Sequence, residues 1–412
     1  MILTPSTALV AVAALICARG IAAQDTKPPL PPWPAGLHHA EQRPDYLAEI
    51  DPRDLSAIRL PPPPPGEPPA VVKGLYLNAW VFGSKKFYDL VALADTTEVN
   101  AFVIDVKDGT GYVTYRSSVP VADAAGANAW ARAPDVRERL QVLRKHGIHP
   151  IARIVVAKDT LLATHKPHWA VRDVDGGLWR DRFGGAWVDA YRDSVWIYAA
   201  DLAAEAVLLG FREVQFDYVR FPDEPAELLQ QAIFPGRQEG ESRRAGIRRN
   251  LRLLKQRIEP LGIPLTVDAF GLTTSAKGDL GIGQNWEDLL SVADVVLPMV
   301  YPSHYHRGAY GFSFPNAEPY GVVKRALEDG LRRAQAIPGA ARIRPFLQSF
   351  SIRRVRYTAV EVRAEIAAVE DLGLTDWVLW NASGRYPAGA FRPSDSPYVD
   401  TTATLDGRSG SR

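Results

Sequence analysis

Eight short apolar runs, separated by helical segments, recur between residues 71 and 388 of this 412-residue chain. They are Gly74–Trp80, Ala101–Lys107, His149–Val156, Glu213–Val219, Pro264–Phe270, Asp294–Tyr301, Ile343–Phe350 and Trp377–Asn381. Most are near-continuous Val, Ile, Leu and Phe, the pattern of parallel strands covered on both faces. Ser84–Glu98, Pro134–His146, Ser194–Leu209, Arg243–Ile258, Tyr320–Ala336 and Ala359–Leu372 carry apolar residues at the helical spacing of three and four. Gly147, Gly210, Gly262 and Gly373 each close a helical segment just before a strand. Glycine there accepts the left-handed conformation that stops a helix, so the helix-to-strand turns are tight. The strand-to-helix connections Asp108–Ala133, Ala157–Asp193, Gly271–Gln284 and Pro302–Pro319 are long. This alternation predicts an α/β fold, a (β/α)8 TIM barrel whose long loops form a functional face at the strand C-termini. No eighth helix is evident after Asn381, and the N-terminal segment or the tail is expected to cover that side.

The flanks read differently. Residues 1–23 have the form of a signal peptide, with the apolar run Ala8–Ile16 and small residues Ala22 and Ala23 for cleavage; no positive charge precedes the run, and a retained N-terminal anchor is the other reading. Cys17 is the one cysteine, and Ile16 before it does not suit a lipoprotein signal. The mature chain would then hold no cysteine, which excludes disulfides, thiol catalysis and Cys-based zinc sites. Residues 24–70 form a proline-rich linker, stiffest at Pro61–Pro65. The barrel is expected over residues 71–388 and a partly disordered tail over 389–412. The chain is expected to be secreted or periplasmic, without stable membrane insertion once the signal is cleaved. With 48 basic against 47 acidic side chains, it lacks the positive excess that a nucleic-acid partner requires.

Inward positions in a barrel strand recur at every second residue. The last inward position of each run yields a polar ring: Asn78 and Trp80, Asp105 and Lys107, Arg153, Asp217, Asp268, Tyr301, Gln348, and Trp380 or Asn381. A polar group buried without a partner costs roughly 1–3 kcal/mol, so a ring at one level points to function and not to core packing. Each member also has a structural reading, such as Asp105 pairing with Lys107 or Arg153. Asp217 and Asp268 end neighbouring strands, spaced about 5 Å apart in a sheet. Two carboxyls at that separation suit a retaining glycosidase, one attacking the anomeric carbon and the other protonating the leaving oxygen; rotamers that hold them further apart would make the arrangement an inverting one. Their repulsion would raise one pKa and preserve the acid. Asp105 is a third catalytic candidate. Arg153 and Arg220 are expected to hold the carboxylates ionised.

The loops add further candidates. Trp169, Trp179 and Trp187 lie in Ala157–Asp193 among several aspartates and glycines, as sugar-stacking groups or as the minor core of a β-hairpin. Val300–Gly311 brings His304, Tyr305 and His306 to the end of the sixth strand, where His304 is expected to contact substrate. No third ligand accompanies the histidine pair at typical spacing, so neither a metal nor another cofactor is expected. No phosphate-binding loop and no nucleophile elbow is present.

The motifs VKGLYLNAW, FVIDVKDGTGYVTY, HPIARIVVAKD, EVQFDYVRFP, VDAFGL, IGQNWEDL, DVVLPMVYPSHY, IRPFLQSF and WVLWNAS together resemble a bacterial family of glycosyl hydrolase-like TIM barrels, over about residues 71–388. The resemblance implies kinship with other barrel glycosidases, including the α-amylase-like group, which place an aspartate nucleophile on strand four and a carboxylic acid/base on strand five. Asp217 and Asp268 match those places, although the amylase-like enzymes carry glutamate at the second. Ala190 stands in WVDAY where the family tends to have proline. The expected activity is hydrolysis of glycosidic bonds in a bacterial envelope or extracellular polysaccharide. Asp217 would be nucleophile or base and Asp268 the general acid, with Asn78, Trp80, Lys107, Arg153, Arg220, Tyr301, His304, Gln348, Trp380 and Asn381 binding sugar. The rival reading is a catalytically silent carbohydrate-binding barrel; a metal-dependent deacetylase using Asp105, His304 and His306 is a third.

Overall fold

A computed structural model of the protein describes residues 69–394. The signal peptide, nearly all of the proline-rich linker and the tail beyond residue 394 lie outside the described residues.

Eight parallel strands close into a barrel: β1 (Lys73–Leu77), β2 (Ala101–Lys107), β3 (His149–Val155), β4 (Glu213–Asp217), β5 (Leu265–Phe270), β6 (Val295–Met299), β7 in two pieces (Arg342–Ile343 and Phe346–Gln348) and β8 (Trp377–Trp380). Each strand pairs with its sequence neighbours, and β1 pairs with both β2 and β8, so the sheet has no edge. The interruption of β7 falls at Arg344–Pro345, where proline offers no N–H to the ladder. Seven main helices pack outside: α1 (Lys86–Thr96), α2 (Val136–Lys145), α3 (Asp193–Leu209), α4 (Arg243–Ile258), α5 (Trp286–Val292), α6 (Pro319–Ala334) and α7 (Ala359–Glu370). Sequence periodicity predicts six of these. The seven residues of α5 are too short for a periodic signal; its cue is Asn285, whose side chain accepts from the Asp288 N–H as a helix cap.

Pleating sorts the strand side chains. Leu75, Leu77, Phe102, Ile104, Ile154, Phe216, Val267 and Leu379 point outward and join the large core shared with the helices. Tyr76, Val103, Ile151, Leu297, Phe346 and Val378 form a smaller apolar cluster inside the barrel. Below it, at the strand N-termini, Glu213 accepts from Arg344 at 2.5 Å and from Thr266 at 2.8 Å, with His149 at 3.4 Å. Despite burial, Arg344 and His149 hold the Glu213 carboxyl well below the usual range. This closes the base and leaves the opposite end open for the long loops.

The side without an eighth helix is covered by the tail. Phe391 stacks on Trp377 with ring centroids 6.1 Å apart, and the Glu98 N–H donates to the Arg392 carbonyl at 2.9 Å. The packed unit therefore runs past the expected boundary at residue 388. Among the described residues no helix is long and apolar enough to cross a membrane.

Candidate active site

Helix α3 ends at Gly210 with φ 123°, and the chain turns directly into β4, which delivers Asp217 to the open end of the barrel. The next residue, Tyr218, takes φ 53°, a left-handed conformation that costs a non-glycine residue roughly 1–2 kcal/mol. That turn aims the Tyr218 N–H back at Asp217 Oδ1, 2.5 Å away. Asp217 Oδ2 accepts from Arg153 Nη2. Phe216 pairs with Val267, so Asp217 and Asp268 stand abreast on strands about 4.8 Å apart.

Arg153 is the hub. Its Nη1 donates to Asp105 Oδ1 at 2.5 Å, and its Nε lies 3.8 Å from Asp268 Oδ2. Tyr76 donates its hydroxyl to Asp105 Oδ2 at 2.5 Å, and Gln215 Nε2 donates to both Asp268 oxygens at 2.8 and 2.9 Å. One guanidinium cannot neutralise three buried carboxylates, so the cluster retains protons. Burial and then the charge of Asp217 push the Asp268 carboxyl well above its ordinary range. Burial raises Asp105 to about 6, against the pull of Arg153 and Tyr76.

Above the cluster opens a cavity of about 1680 Å³, larger than a typical small-ligand pocket and roomy enough for several sugar rings. Asp217 and Arg153 form part of its floor; Tyr301, His304, Phe350 and Trp380 form an aromatic wall. Trp380 stacks on Tyr76 at 5.6 Å and meets Phe350 edge-on at 5.1 Å. His304 faces the concavity beside Tyr301, ring centroids 5.2 Å apart. The surrounding walls, then the charge of Arg353, lower its imidazole below the ordinary histidine value, although solvent still reaches the ring. Lys158 with Asp181 at 2.8 Å, and Arg182 with Glu224 at 2.6 Å, make ion pairs at the rim.

The structure thus gathers Asp217, Arg153, Asp105, Asp268, Tyr301, His304, Arg220 and Trp380 at or just beneath one cavity, and places other expected members elsewhere. Lys107 points outward: a bulge between Asp105 and Lys107 resets the pleat, and the ammonium pairs with Asp159 at 2.7 Å. Asn78 caps the short helix Ala79–Phe82, accepting from Val81 at 2.9 Å and donating to Ala382 at 2.8 Å. Trp80 sits outside the cavity with the Arg132 guanidinium 3.6 Å from its ring centroid. Gln348 is fully enclosed, its amide taken up by Ser303, Asn316 and Phe350. Asn381 touches the cavity, but its amide is spent on Ser349, Ser383 and Arg385. Arg220 makes no pair with Asp217; its Nη1 donates to the Phe221 carbonyl at 3.0 Å. Asp268 and Asp105 lie beneath the cavity and do not line it.

The tryptophan loop is built as paired short bridges, Arg172 with Leu178 and Arg180 with Ala186 among them. Trp179 and Trp187 are buried within it, donating to Leu228 and Asp181. Of these two, Trp187 also reaches the cavity. His306 is exposed and bonded to the Arg307 carbonyl, and among the described residues no cluster of three or more His, Cys, Asp or Glu could hold a metal. Two residues escaped the sequence ring, Tyr76 and Gln215. Both share the inward parity of a ring member, two positions below Asn78 and Asp217.

No curated protein matches the chain. Among solved structures, a hypothetical protein from Ruminiclostridium thermocellum is 35% identical, over 50% of this chain and 98% of that one, with a TM-score of 0.42. The Thermus thermophilus α-galactosidase TtGalA is 17% identical over 79% of this chain, which spans 60% of its length (TM-score 0.45). The glycoside hydrolase domain of PgaB (BpsB) from Bordetella bronchiseptica is 13% identical over 76% of this chain and 94% of that one. Its TM-score of 0.51 marks a shared barrel fold. The model of the family described as “Putative glycosyl hydrolase domain” matches residues 74–386, nearly the whole barrel, and the chain belongs to that family.

Proposed function

We propose that this protein hydrolyses glycosidic bonds in a bacterial envelope or extracellular polysaccharide, with Asp217 as the carboxylate that meets the anomeric centre. The observation that carries the reading is the asymmetry of the cluster around Arg153. Of its three carboxylates, Asp217 opens into the large aromatic-walled cavity, while Asp105 and Asp268 sit beneath it. Asp217 attacks directly or through a water. Asp268, abreast of it and holding its proton against burial and the charge of Asp217, is the proton donor of the pair.

The enclosure of Asp268 and the two donors already on Asp217 favour one alternative, a barrel that binds glycan without cutting it. Product analysis separates the two. Incubation with purified envelope and extracellular glycans should release new reducing ends; tight binding with no product over days would establish the silent barrel. The role of Asp268 has its own signature. As general acid, Asp268→Asn should cost far more turnover on natural glycosides than on aryl glycosides whose leaving group needs no proton. Equal losses on both would make Asp268 a positioning residue.

A further inference from the structure

The cations lining the cavity are mostly matched. Arg153 serves Asp105 and Asp217, Lys158 pairs with Asp181, and Arg182 with Glu224. Arg220 is different. Only 7% of it is exposed, yet no carboxylate among the described residues pairs with it. Its guanidinium is held by aromatic faces, 4.5 Å from the ring centroids of Tyr218 and Phe270 and 5.3 Å from that of Trp187. One N–H bond goes to the Phe221 carbonyl. The remaining donors find no acceptor among the described residues and are not sealed in the interior, so they face the cavity that Arg220 lines.

A desolvated cation without a counter-charge is costly, and aromatic rings offset part of that cost. Such a fork of planar donors matches a carboxylate in two-point contact. The mouth repeats the sign. Arg385 lines the cavity and is exposed, and Arg353 and Arg354 form the turn that follows the lining residues Ser351 and Ile352. The lining acids Asp89 and Asp223 are exposed at the margin, where water solvates them.

We propose that Arg220 is a specificity residue that receives the carboxylate of an acidic sugar, so that the polysaccharide cleaved here contains uronic acid. This rests on the glycoside hydrolase reading of the same cavity, and the two are tested apart. Binding is measured by calorimetry on the full chain carrying Asp217→Asn, which holds ligand without turnover. The probes are oligosaccharides of mannuronic, guluronic, galacturonic and glucuronic acid, each beside its carboxyl-reduced neutral counterpart. At least one acidic oligosaccharide should bind tenfold or more tightly than its reduced partner, and Arg220→Gln should abolish that preference. Arg220→Lys should retain part of it and guards against a folding defect in the glutamine variant. Equal binding of acidic and reduced forms, persistence of the preference in Arg220→Gln, or no binding by any acidic probe would overturn the proposal. Cleavage of neutral glycans by the unaltered protein would then leave the hydrolase reading standing. A carboxylate preference with no cleavage of any probe would do the reverse.

Discussion

Arg153 is the residue on which the site's electrostatics depend, because it alone supplies positive charge to the buried Asp105, Asp217 and Asp268 among the contacts of that cluster. Replacing it with Met should destabilise the fold by about 3–5 kcal/mol at pH 8, since buried carboxylates lose their counter-charge. The loss should be smaller at pH 5, below the value of about 6 at which Asp105 takes up a proton. Urea unfolding at the two pH values measures this; an equal loss at both would mean that packing, not charge, is what Arg153 provides. Parity alone identifies Arg153, Asp217, Asp268 and Tyr301 from the sequence, and leaves Trp380 or Asn381 open on the last strand, because strict alternation survives along β3, β4, β5 and β6. It fails at Lys107, where one bulge inverts the pleat, and bulges leave no mark in residue type. It fails differently at Asn78 and Gln348, which are polar and placed as expected but spend their amides on a helix cap and on neighbouring loop groups. Partner choice is a tertiary fact that spacing does not carry.

At the scale of elements, tight turns on one side and long loops on the other decide where the site lies. Gly210 is the turn that feeds β4, and at φ 123° an added Cβ meets nothing closer than Leu140 at 3.7 Å. The penalty for Gly210→Ala is therefore backbone strain, about 1–2 kcal/mol, seen as a lower melting temperature with the barrel intact. A neutral effect would mean that the turn relaxes to another conformation. Four glycine stops make the turns into β3, β4, β5 and β8 legible in the sequence, and apolar periodicity marks six of the seven main helices. Helix α5 was hidden by its length, and the broken β7 read as one run because Arg344 and Pro345 interrupt the ladder without ending the apolar pattern. The tryptophan loop carried two readings, and the buried Trp179 and Trp187 place it mainly with the small hairpin core.

Over the whole molecule, the barrel stores buried acids that favour the protonated state. Asp201 on α3 is raised to about 8 by burial, against the partial pull of Arg257. An acid whose pKa is higher in the native state binds its proton more tightly there than when unfolded. Its contribution to stability therefore falls as pH rises from about 4 toward 8. Asp201→Asn should remove that slope and raise stability on the order of 2–4 kcal/mol at pH 8, with a smaller gain at pH 5. A gain independent of pH would show that ionisation of Asp201 is not the cause. Closure of the ring, its polar base at Glu213 and Arg344, and the aromatic wall above Arg153 together hold Asp217 at the one open end. The most direct test is turnover of a cleavable glycan by Asp217→Asn, beside circular dichroism and thermal melting of the same variant. The expected result is native folding with activity reduced by roughly 10³-fold or more; a folded Asp217→Asn variant that keeps its turnover would contradict it.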